Sequence, residues 1–220
     1  MTGLSIASAG GKLLAGATEL LARVRTAEKP LHPHGQLVRG RLVRHGAPEP
    51  SGVEWLDEEG DDEVLVRTSR AIGTPAPLPD IHGLAVRVPD STGGFADLLL
   101  ATTAWNRVGR HLLVPTLTVG PTLTTLLPYR TAAGPVVLGA RAVGSDYRLC
   151  WASLGGRWRE LGELTLDLAE SPDAAVSFDP IRHHPAGMSH YTWAARLRER
   201  SYATARSHRE AEETDGRWPS

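Results

Sequence analysis

Apolar and polar positions recur with two different periods along this 220-residue chain. Near the start, Leu13, Leu14, Ala17, Leu20, Leu21 and Val24 return every three or four residues, which predicts an amphipathic helix within residues 1–28. Beyond it the period shortens to two. Residues 36–45 read as a strand interrupted by arginines. Residues 63–69 alternate more cleanly, with Val64, Val66 and Thr68 on one face and Leu65, Arg67 and Ser69 on the other. Further strands are expected at 82–88, 95–101, 135–143, 147–154 and 158–168, with a short last one at 174–178.

Between these runs the chain carries turn chemistry. The acidic stretch 57–63 reads as a solvated loop, since runs of like charge are most often solvated. Residues 73–80 hold three prolines and cannot form a central strand. Gly144-Ser145 and Gly155-Gly156 predict hairpin turns. Residues 103–130 match neither period. A second helix is expected from Arg196 to Arg209, followed by a polar, disordered tail at 210–220. Many short strands with tight turns, and a helix at each end, predict an α+β fold built on an antiparallel β-barrel.

Composition narrows the function. Lys plus Arg (24) balances Asp plus Glu (25), so no global attraction to nucleic acid or anionic membrane is expected. One cysteine, Cys150, excludes an intramolecular disulfide and any Cys-rich metal site, and suits a reducing, cytoplasmic setting. Residues 4–25 carry Lys12, Glu19, Arg23 and Arg25, unlike a secretory signal, and no stretch is apolar enough to span a bilayer. Cys150 beside Trp151 reads as a small buried hydrophobe. His183, His184 and His190 sit in an apparent loop without a carboxylate or thiolate at ligand spacing. His82 reads as a polar entry to a strand.

The sharpest chemistry lies at the two ends of the chain. On a helix turning by about 100° per residue, Tyr202 falls about 40° and Arg209 about 20° around from Arg198, so the three share a face. Neighbouring cations favour a phenolate, and a tyrosinate is among the few protein groups that ligate haem iron. His32, just before the first strand, supplies a candidate acid/base for the opposite side of such a haem.

Five segments in order carry a resemblance. Lys29-Pro30-Leu31-His32-Pro33-His34-Gly35 resembles the catalase stretch in which an arginine precedes Val-His-Ala-Lys-Gly by one residue. Val66-Arg67-Thr68-Ser69 is similar to that family's Val-Arg-Phe-Ser. Residues 80–87, Asp-Ile-His-Gly-Leu-Ala-Val-Arg, resemble its Asp-Pro-Arg-Gly-Phe-Ala-Val-Lys. Phe95-Ala96-Asp97-Leu98 looks like Asn-Trp-Asp-Leu, and Arg198, Tyr202 and Arg209 reproduce the Arg-x-x-x-Tyr-x-x-x-x-x-x-Arg spacing.

The resemblance implies a compact catalase-like haem protein spanning 29–209, with haem b as cofactor and Tyr202 as the iron ligand. Arg198 would keep that tyrosine ionised. Arg67 and Arg209 would meet the haem propionates, with Lys29 where the family has a further arginine. His32 would move the peroxide proton, Ser69 would orient its ring, and Thr102 falls where the family has its distal asparagine. The family's phenylalanine-rich segment is not recognisable, because the chain has only Phe95 and Phe178. The implied activity is therefore peroxidatic or organic-hydroperoxide oxidoreductase chemistry rather than fast catalase turnover. The substrate would be a peroxide or organic hydroperoxide, with neither nucleic acid nor membrane as partner and room for a homo-oligomer. The alternative is a barrel without catalytic haem, serving as a small-ligand binder, a haem carrier or a redeployed hydrolase.

Overall fold

The computed structural model describes residues 36–70, 74–75, 77–90, 93–118, 121–168 and 176–194. Its frame is a closed antiparallel barrel of eight strands. In barrel order these are β1 (Gln36–His45), β2 (Glu59–Arg70), β3 (His82–Pro89), β4 (Phe95–Thr102), β5 (Thr122–Thr124), β7 (Gly134–Val143), β8 (Asp146–Ser153) and β9 (Arg159–Asp167). β9 pairs back onto β1, which removes every free edge among these eight. Two short strands, β6 (Tyr129–Thr131) and β10 (Ser189–His190), extend the sheet beside β7. A single helical turn, α1 (Glu54–Asp57), links β1 to β2.

Alternation builds the core. Val38 and Leu42 of β1, Val64 and Val66 of β2, Leu84, Val86 and Val88 of β3, and Leu98 and Leu100 of β4 all point inward and are buried. Tyr147, Leu149, Trp151, Leu161 and Leu164 fill the far side. Burying each large side chain contributes about 1.5–3 kcal/mol of hydrophobic stabilisation. A void among these core side chains, lined by Val86, Leu98, Leu100, Leu138, Leu149 and Leu161, has a volume of only ≈ 10 Å³. That is about one water. The barrel is therefore a core and not a container, and any ligand must lie outside it.

Two expectations change. Residues 59–63 are strand, not loop: β2 begins at Glu59 and runs in register along β1. The acids of β2 meet the arginines of β1, with Arg41 paired to Asp61 and Arg44 bonded to Asp62 at 3.1 Å. Cross-strand opposite charge supplies what the local acidic run lacks. Residues 176–178 join no ladder; Arg87 donates instead to the Ser177 carbonyl at 2.6 Å. The predicted N-terminal helix and tail lie outside the described residues. The predicted C-terminal helix, 196–209, also lies outside them; residues 192–194, ahead of it, are helical.

A loop over residues 104–118 crosses the barrel's outside and is pinned there by indoles. Trp105 and Trp158 stack with centroids 4.3 Å apart, and the Trp158 Nε1–H donates to the Trp105 carbonyl at 2.8 Å. Both rings press on β7 at Gly139, where a Cβ would sit 2.9 Å from each of them.

Candidate functional site

The outer face of β2, β3 and β4 differs from the rest of the barrel wall. Pairing sets Ser69, Gly83, Ala101 and Thr124 in one rung, and Leu37, Arg67, Ala85 and Leu99 in the next. Directly paired residues share a face, and such rungs lie about 7 Å apart. Gly83, Ala85 and Ala101 thus make a shelf of minimal side chains, with a hydroxyl and a guanidinium at one border. Every one of these outer residues of β2–β4 is half-buried. At Gly83 a Cβ would stand 2.8 Å from the Ser69 Oγ, so the glycine makes room for the serine. Among the described residues Arg67 has no carboxylate partner, leaving its planar cation available to an acidic ligand.

One end of the shelf is walled. Ala101 packs with Leu113, Leu126, Leu127, Tyr191 and Ala194 in a second apolar cluster separate from the core. The helical start at 192–194 therefore docks beside the shelf, on the chain segment that leads to Arg198 and Tyr202.

The other border is locked by a polar clamp. Arg87 donates to both oxygens of the fully buried Asp97, at 2.7 and 2.9 Å. Its guanidinium lies over Phe95, 3.9 Å from the ring centre, with Phe178 at 5.1 Å. Asp97 also accepts the Asp179 backbone N–H at 2.7 Å, and its own N–H donates to the His183 carbonyl at 2.9 Å. The clamp holds residues 177–183 against β3 and β4.

Of the residues singled out from sequence, Arg67 and Ser69 fall on the shelf side of β2, as neighbours on one face. Thr102 does not join them. It is 1% exposed, pairs with core residue Leu123, and its Oγ1 accepts the His82 backbone N–H at 3.2 Å. The shelf side instead receives Thr103, whose hydroxyl donates to Thr124 Oγ1 at 3.2 Å. Counting residues from Asp97 could not decide this, because successive strand residues point to opposite faces. His82 is buried on the core face, with its Nε2 3.3 Å from the Thr116 carbonyl. His190 donates from Nε2 to the Pro180 carbonyl at 2.7 Å. Among the described residues no three His, Cys, Asp or Glu side chains gather as a metal site. Cys150 is buried, and burial foremost, with the Glu160 carboxylate adding, pushes its thiol up to about 11. It is no nucleophile at neutral pH. Lys29, His32, Arg198, Tyr202 and Arg209 lie outside the described residues. Sequence reading missed the shelf itself, for which the local signal was Gly83 and Ala85 at alternate positions of one strand; Ala101 joins them only through pairing.

Solved structures resolve the architecture. Catalase A from Saccharomyces cerevisiae superposes with a TM-score of 0.56 at 13% identity, over 87% of this chain and 63% of its own. A fungal catalase superposes at 0.55 and 14% identity, over 89% of this chain and 62% of its own. The fold is of catalase type. At these identities the likeness reaches the fold alone, and the chain spans less than two thirds of either catalase. No known protein-family profile matches the sequence, and no curated protein matches it. Among the described residues no helix is long and apolar enough to cross a membrane.

A flat, largely apolar ring carrying carboxylates suits the shelf. Gly83, Ala85 and Ala101 leave space for a ring face, Leu99 and Leu113 add apolar contact, and Arg67 offers a fork for a carboxylate. On these grounds the residues present fit haem.

Proposed function

We propose that this chain is a small catalase-type haem protein that carries out peroxidatic or organic-hydroperoxide chemistry. The observation that carries the reading is the Gly83, Ala85 and Ala101 shelf bordered by Ser69 and by Arg67, which has no carboxylate partner among the described residues, on the outside of a catalase-type barrel with a packed core.

Tyr202, with Arg198 beside it to favour the phenolate, would hold the iron, and Arg67, Arg209 and Lys29 would meet the carboxylates. When bound, haem b supplies the electron transfer that accompanies O–O cleavage. The remaining work belongs to this chain. His32 takes the proton from the hydroperoxide and returns it to the departing oxygen. Ser69 would bond that imidazole and fix which nitrogen carries the proton. The Thr103 hydroxyl has spent its proton on Thr124 and can only accept, so nothing on that strand replaces a donating amide. This favours peroxidatic chemistry over rapid dismutation. Thr102 supports the reading only as a brace, holding the start of β3 through His82.

A haem-free small-ligand barrel is the second reading, favoured by that missing donor. The absorption spectrum of the protein loaded with haem, beside Tyr202→Phe, separates the two. A tyrosinate-type ferric spectrum that collapses in the variant is expected. A folded protein that takes up no haem leaves the ligand-binding barrel.

A further inference from the structure

Past the shelf, the outer face of β1–β4 continues into a groove of ≈ 250 Å³. Two rungs beyond the one that holds Arg67 and Ala85 build it. The first sets Arg39, Leu65, Arg87 and Asp97 side by side. The second carries Glu63 opposite Arg41, and Pro89 opposite Phe95. Rungs of one face lie about 7 Å apart, so groove and shelf are neighbours on a single wall. Pockets for drug-sized ligands hold about 300–1,000 Å³. This smaller space suits one ring with a polar group at each end.

The groove has an apolar floor and a sorted polar rim. Leu65 is half-buried there, and Pro89 and Phe95 are exposed. Arg87 spends Nε and Nη2 on Asp97 and on the Ser177 carbonyl, which leaves Nη1 without a partner among the described residues. The Asp97 fork and the Phe95 ring, 3.9 Å from the guanidinium, hold its plane still. A guanidinium already fixed loses little freedom when it grips a carboxylate. Arg39, which stands opposite Asp167 in the β1–β9 ladder, brings a second cation to the other side of Leu65. Glu63 is the acceptor that lines the groove, two residues along β2 from Leu65. With the Arg41 cation directly opposite, Glu63 receives a neutral O–H more readily than a ligand cation.

We propose that this groove binds a small phenolic acid, the electron donor of the peroxidatic reaction. Its carboxylate meets Arg87 Nη1 and Arg39, its ring lies on Leu65 and Pro89 beside Phe95, and its hydroxyl donates to Glu63. The binding stands on the groove alone; the donor role rests on the haem reading above. Reducing one hydroperoxide to an alcohol and water takes two electrons and two protons. Two phenols supply them in turn. Each gives one electron across the Arg67 rung to the shelf and its O–H proton to Glu63, and each leaves as a phenoxyl radical. Glu63 hands the proton to solvent, from which the alcohol and water draw theirs.

The test titrates 4-hydroxyphenylacetate into the full-length protein, first without haem. In ¹⁵N-correlated spectra the amide signals of Leu65, Arg87 and Phe95 should move, while those of Leu149 and Trp151 stay still. Affinity should fall at least about tenfold in Arg39→Glu, and by as much for p-cresol, which lacks the carboxylate. Leu65→Glu sets a repelling charge in the floor and should abolish binding, a second check should Arg39→Glu not fold. In the haem-loaded protein, Glu63→Gln should keep its Soret band and oxidise the phenol with tert-butyl hydroperoxide at least about tenfold more slowly. Still signals at the groove, or equal affinity for p-cresol, would overturn the site and spare the haem reading. Wild-type phenol oxidation in Leu65→Glu with an intact Soret band would overturn the donor role. A wild type that binds the acid but takes up no haem would bring down the haem reading and the donor role, and uphold the groove as a binding site.

Discussion

The two faces of the β2–β3–β4 arc are built from the same residues in alternation, yet they obey different rules. Inward stand Val64, Val66, Leu84, Val86, Leu98 and Leu100, large, apolar and almost wholly shielded. Outward stand Arg67, Ser69, Gly83, Ala85 and Ala101, small or polar and half-covered. The inner face is what folding selects, because each large side chain removes apolar area from water. The outer face contributes little to stability: glycine weakens a strand interior and alanine is a poor strand former. A surface that costs strand propensity and adds little packing is what the proposed haem shelf requires. The interior cannot be the binding site; the cheap outer wall can.

The comparison can be broken hardest at the clamp, where the outer face does bear load. Asp97→Ala leaves Arg87 half-buried without its carboxylate and frees the Asp179 N–H, at an expected cost of about 3–5 kcal/mol. Urea denaturation reads that loss, and limited proteolysis should show cleavage within 177–190 ahead of the barrel. A cost below about 1 kcal/mol would mean that the clamp is ornamental.

Inside the barrel, Leu98→Ala is expected to lose about 2–5 kcal/mol, also by denaturant midpoint, with haem uptake by the surviving folded fraction unchanged. The shelf should invert that result. Gly83→Val adds a β-branched side chain whose Cβ crowds only the movable Ser69 hydroxyl and meets the Leu100 carbonyl at an ordinary 3.8 Å, so stability should stay within about 1 kcal/mol of wild type. Haem titration should nonetheless show affinity reduced by at least about tenfold, since the added methyls fill the shelf. Equal affinity in wild type and Gly83→Val would remove the shelf from the site. Smallest of all, Arg41→Ala breaks an exposed ion pair with Asp61 and should leave both melting temperature and haem affinity indistinguishable from wild type.

How much of this was legible in the chain depended on whether the cause was local. Strands with inward aliphatics announced themselves: β1 lies at the expected 36–45, and β3, β7, β8 and β9 come within a residue or two of their expected ends. The acidic start of β2 did not, because what makes Glu59–Glu63 extended is the arginine-bearing β1 laid alongside it, invisible to any window on the acids themselves. Residues 103–130 were opaque for a related reason. β5 and β6 are three residues each and exist through partners in β4 and β7. Arg67 and Ser69 were found with their common face, since alternation inside one clean strand fixes parity. Thr102 and Thr103, at a strand's end, were separable only once pairing with Leu123 and Thr124 was known. The shelf needed three strands in register.

The Trp105 and Trp158 rings, 4.3 Å apart and inclined by 20°, have an optical consequence. Two indoles this close share their ultraviolet transitions, so the pair should give a coupled circular-dichroism band. That signal would vanish whenever the 104–118 loop lifts from the barrel. The molecule thus carries its own dye-free gauge of whether that loop is seated on β7, readable on a timescale that a melting curve never sees.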